Sequence, residues 1–133
     1  MKTSMLLLAF ATIVFAGCST PQSVSRLHGR GSKMLYDEAF EPVWRAAIVA
    51  AQEGDMEIVS TDKAHGYIAT HRPMATDSFG ENDAIWVRRI TPHQTLVEVV
   101  SRPVGPPMFE YSNGEHRVLN SIAADLTTST AGL

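Results

Sequence analysis

One cysteine stands among 133 residues. It has no partner for an internal disulfide, so no covalent staple holds the fold. No stretch reaches the roughly 20 consecutive apolar residues that a membrane-crossing helix needs. Positive charge is not in excess either: 11 Lys and Arg face 14 Asp and Glu, a net charge of −3, which offers nucleic acid no basic surface. The chain contains no Gly-x-Ser-x-Gly, no His-Glu-x-x-His and no phosphate-binding loop, so the sequence predicts no enzyme and no cofactor. At this length there is room for one modest domain and not for two.

What is present begins at the N-terminus. Lys2 supplies a positive charge, residues 5–15 form an almost unbroken apolar run, and Ala16 and Gly17 close it with small side chains. A run of about 7–15 apolar residues followed by small ones is the pattern of a secretory signal peptide. The tetrapeptide Phe15-Ala16-Gly17-Cys18 resembles the lipobox of bacterial lipoproteins, with Phe15 in the place where Leu is usual. The resemblance implies cleavage after Gly17 and attachment of diacylglycerol and palmitate to Cys18. A free thiol exposed to an oxidising compartment would otherwise be a liability. Ser19 rather than Asp follows the cysteine, and by the same resemblance this implies the outer membrane, with the domain facing the periplasm and the lipid bilayer as first partner. Residues 18–33 then read as the acylated cysteine and a flexible tether without fixed structure, rich in Ser and Gly and lacking an apolar period. Its Arg26, Arg30 and Lys33 are too few for a polybasic patch.

The domain is expected over residues 34–128, with a frayed tail at 129–133. A strand is predicted at 33–37 and a helix at 41–53, where Val43, Trp44, Ala47, Ile48 and Ala51 recur on one face, Pro42 suits an early helical position and Gly54 is a stop. Trp44 reads as core. Strands are predicted at 56–61, 65–71, 84–91 and 94–102, forming two hairpins, the second turned at Pro92-His93. Residues 72–83 read as a long loop. Ser112 and Glu115 make a capping-box pattern ahead of a second helix whose stripe is Val118, Leu119, Ile122, Ala123 and Leu126. The expected class is therefore α+β: an antiparallel sheet of four to five strands, two amphipathic helices on one face, in the order β-α-β-β-β-β-α.

The segment from Pro42 to Thr70 resembles the helix–strand–hairpin signature of small envelope lipoprotein domains related to BamC, with Val43, Trp44, Asp62, Gly66 and Ile68 in the pattern's places. That implies a helix-on-sheet fold and an accessory role beside an envelope protein partner. Asp62 and Gly66 read as turn formers, the carboxylate accepting N–H bonds and the glycine taking positive φ. Two candidate surfaces remain. His71, Asp77, Glu81 and Asp83 flank one loop with His65 upstream, but their spacing fits no zinc or calcium pattern, and no metal is expected. In residues 103–111, prolines display Val104, Met108, Phe109 and Tyr111; these either tuck onto the sheet edge or mark a partner site at Met108, Phe109 and Tyr111. The functional expectation is a non-catalytic, membrane-anchored accessory module of a cell-envelope assembly, and the alternative is a periplasmic ligand- or metal-binding lipoprotein.

Overall fold

A computed structural model describes residues 18–105 and 113–132 of the chain. The elements are α1 (Pro21–Ser25), β1 (Ser32–Tyr36), α2 (Phe40–Ala50), β2 (Glu57–Asp62), β3 (Tyr67–Arg72), β4 (Glu81–Thr91), β5 (Gln94–Pro103) and α3 (Gly114–Ala131). All five strands form one antiparallel sheet in the order β1-β5-β4-β3-β2. Four strands are a simple meander, and β1 returns to the free side of β5. The α+β expectation holds.

The meander is fixed locally by its turns. After β2, Asp62 Oδ1 accepts the amide of His65 at 3.2 Å, and Gly66 takes φ +66°. Gly66 is required twice over, by that positive φ and because a side chain there would run into the Val87 backbone, whose amide donates to the Gly66 carbonyl at 2.7 Å. Alternation along the strands then sorts residues by face. Ile68, Ile85, Val87, Val97 and Val99 point to one side, where they meet Val43, Trp44, Ala47 and Ala50 of α2 and Val118, Leu119, Ile122 and Leu126 of α3. The run of alanines lets α2 lie close to the sheet. Trp44 is buried, as its stripe predicts, and stacks on Phe40 at 5.8 Å. Each fully buried Ile, Leu or Val here is worth about 1.5–3 kcal/mol over an exposed one. Tyr36 donates its buried hydroxyl to the Leu119 carbonyl at 2.7 Å, tying β1 to α3; burial pushes that phenol's pKa up.

Four expectations are corrected. Residues 18–33 are not a structureless tether: Thr20 caps a short helix through Ser23, Pro21 fills its first turn, and Val24 is completely buried. That valine seals the opposite face of the sheet against Ala84 and Val100, flanked by Leu27, Tyr67 and Trp86. The 72–83 loop is shorter than expected, because Glu81, Asn82 and Asp83 belong to β4, paired on one side with β3 and on the other with β5. The capping box fails on one partner: α3 has Asn113 as its N-cap without a side-chain bond, and the Glu115 carboxylate reaches across to Ser32, Ser101 and Arg102 instead. Ser112 lies outside the described residues. Finally, the tail stays helical through Ala131, with Thr127, Thr128 and Thr130 each returning a hydroxyl to the carbonyl four residues back, at 2.9 Å. No helix among the described residues is long and apolar enough to cross a membrane.

Candidate functional site

The sole cysteine is exposed and is the first of the described residues. Ser19, the next residue, is sewn to the sheet. Its hydroxyl contacts the carbonyls of Pro103 and Arg102 at the end of β5 and accepts the Asn82 amide at 2.8 Å. Asn82 in turn takes a bond from His71 Nδ1 at 2.7 Å, an arrangement that places the ring proton on Nδ1. These residues belong together because β3, β4 and β5 are in register here, with His71 opposite Asn82 and Asn82 opposite Arg102. Cys18 is therefore held one residue from a bond to the sheet.

Behind Ser19 the segment 20–31 is clamped from below. Glu98, buried on β5, accepts the amides of Gly29 and Gly31 at 2.5 and 3.0 Å with one oxygen, while His28 Nε2 lies 3.5 Å from the other. The His28 ring stacks on Trp86 at 4.6 Å. Beside α1 an open groove of about 490 Å³ runs along Pro21, Gln22, Ser25, Val59, Tyr67 and His71; no Lys, Arg, Asp or Glu lines it.

A second cluster lies on the helix-covered face. Glu81 and Asp83 project from β4 into the space between the sheet and α3, nearly without solvent. Arg117 of α3 bridges them, 2.7 Å from Glu81 and 3.4 Å from Asp83, and Arg72 of β3 reaches Glu81 at 3.4 Å. Both arginines also bond carbonyls just past α2, Arg72 to Gly54 at 2.6 Å and Arg117 to Glu53 at 3.4 Å. Burial first, and then the neighbouring Glu81 charge, push the Asp83 pKa up from 3.8 to about 7, against the pull of Ser101 and Arg117. At the start of α3, burial works to raise Glu115, but hydrogen bonds from Ser32 and Ser101 and from Arg102 outweigh it and bring that pKa down. The cluster joins three elements in a way that serves structure: its cations are consumed by its own anions.

The acids and histidines around the loop are distributed rather than gathered. His71 faces the α1 side of the sheet, Glu81 and Asp83 the helix side, Asp77 is exposed in the loop, and His65 pairs with Asp62 at 2.6 Å. Among the described residues no three His, Cys, Asp or Glu side chains converge. Gly17, Met108, Phe109 and Tyr111 lie outside the described residues. Val104 and Gly105, which precede the last three, run beside the loop, their amides bonded to Gly80 and Phe79 at 3.5 and 3.1 Å. Sequence reasoning missed Ser19, Asn82 and Glu98 as contacts that hold the 19–31 segment, and Arg72 and Arg117 as partners of the acids. The available signal was parity: extending β4 back to residue 81 puts Glu81 and Asp83 on the face of Ile85 and Val87, where buried acids need cations.

No family model matches the chain, and no curated protein matches it. Among solved structures it is similar to the adenylate sensor from AMP-activated protein kinase in complex with 5-aminoimidazole-4-carboxamide 1-beta-D-ribofuranotide (ZMP), at 9% identity and a TM-score of 0.49, over 71% of this chain and 94% of that one. The likeness is a distant one of strand and helix arrangement.

Proposed function

We propose that the chain is a bacterial envelope lipoprotein of BamC-like type, acylated on Cys18 and held on the periplasmic side of the outer membrane, where it acts as a non-catalytic interaction module. The observation that carries this reading is Phe15-Ala16-Gly17-Cys18 at the end of an apolar run, with the thiol exposed at the margin of the folded domain. A thioether formed there meets no steric obstacle, and several acyl chains at about 0.8 kcal/mol per buried methylene make anchoring effectively permanent. The interaction role is supported by a sheet whose outer strand β2 is largely exposed, a surface to which another chain can add. A ligand-binding role draws on the groove beside α1, but its openness and lack of charged groups favour the interaction reading.

The test is metabolic labelling with palmitate together with fractionation of Cys18→Ser. Incorporation of label into the wild type, and its loss with release from membranes in the variant, is the expected result. An unlabelled protein whose variant still sediments with membranes would end the proposal.

A further inference from the structure

Six large apolar side chains are conspicuously exposed among the described residues: Leu35, Val49, Val59, Met74, Phe79 and Ile90. Four stand on separate elements and singly, which is ordinary for a protein surface. Met74 and Phe79 differ. Between them Ala75 and Ser78 exchange backbone bonds of 2.8 and 3.3 Å, a tight turn that brings residues 74 and 79 side by side. Both crowd Gly105: a Cβ built on that glycine would lie 3.2 Å from Met74 Sδ and 3.2 Å from Phe79 Cδ1. Gly105 is two residues beyond Pro103, at most about 7 Å of chain, and Pro103 is where Ser19 is bonded. The paired side chains therefore share the end of the sheet from which Cys18 departs.

We propose that Met74 and Phe79 form a second contact with the lipid leaflet that holds Cys18, so that this end of the sheet rests on the bilayer. This inference rests on the acylation proposed above and adds to it an orientation. A diacylglyceryl group places the Cys18 sulfur at the headgroup boundary, and one residue of slack does not let the sheet end retreat from it. Met74 and Phe79 are then within reach of the interface, where apolar side chains gain by partial burial. Asp77 is exposed at the tip of the turn between them, and its charge keeps the loop at headgroup depth rather than in the hydrocarbon. The other sheet end, with Ile90 nine residues along β4, stands about 30 Å away in water.

The experiment uses the acylated full chain in vesicles of phosphatidylethanolamine and phosphatidylglycerol. Met74→Cys carries an environment-sensitive fluorophore, and Ile90→Cys carries the same one as reference. A phospholipid spin-labelled near the head of its acyl chain is expected to quench the probe at 74 about twofold or more, and the probe at 90 negligibly. Equal behaviour of the two probes in protein that floats with the vesicles overturns the inference while leaving the anchor intact. Failure to float, in chains whose melting transition matches the wild type, overturns both.

Discussion

The two faces of the sheet are built on different terms. On the face covered by α2 and α3, long helices bury a continuous apolar layer, and its buried acids, Glu81 and Asp83, are closed on Arg72 and Arg117. On the other, five helical residues and one turn suffice, with Val24 as a single plug and Glu98 as a single clamp. The first face makes the domain stable; the second decides where its N-terminus sits. Loss of the second should therefore leave a folded domain on a longer lead, whereas loss of the first should leave no domain.

The difference can be broken or sharpened by substitution. Ile122→Ala, at a fully buried position of α3, is expected to lower unfolding free energy by about 3–4 kcal/mol in urea titration; a change below about 1 kcal/mol would mean that the helix face is not the main core. Arg117→Ala takes from Glu81 and Asp83 the guanidinium they share, leaving Arg72 on Glu81 alone, and should cost about 2–3 kcal/mol. Arg117→Lys should restore only part, since one ammonium does not span both acids.

Asp83→Asn tests the same cluster by pH. A carboxyl held protonated above its ordinary 3.8, up to about 7, contributes stability that is fully present in acid and is lost as pH rises through 7. The wild type should thus weaken by on the order of 2 kcal/mol or more from about pH 4 to pH 7.5 relative to Asp83→Asn, and parallel melting curves for the two proteins would refute the assignment. The smallest global effect is expected on the other face. Val24→Ala should cost only about 1 kcal/mol yet raise amide exchange selectively over residues 20–31; uniform exchange through the sheet would show that α1 belongs to the main cooperative unit.

Much of this was legible in the chain. The α2 stripe around Trp44, the alternation in β5 and the Asp62–Gly66 turn are local signals that agree with the fold, whereas the Thr20–Ser23 cap of α1 and the unused capping pattern at Glu115 are local ones that mislead. The other departures concern residues whose structure is supplied from a distance. Val24 looks like a stray valine in a Ser-rich stretch until Ala84 and Val100 are placed beneath it, and five residues carry no period to detect. Glu81 and Asp83 look like loop acids until Arg72 and Arg117 are brought from 9 and 36 residues away. The threonines of the last helical turns have low helix propensity and interrupt the apolar stripe after Leu126, so no local pattern signals that the helix continues. Cys18 is read from its neighbours in sequence, but the bond that holds the next residue, from Ser19 to Pro103, spans 84 residues.

That bond has a mechanical consequence. If Cys18 is acylated as proposed, a pull on the domain along the membrane normal loads the Ser19 contact first, then the first turn of α1, then the amides at Glu98, in series rather than together. Contacts loaded in series peel at low force. Residues 19–31 would then pay out about 45 Å of line while the sheet behind them stays folded, turning a rigid mount into a leash under tension.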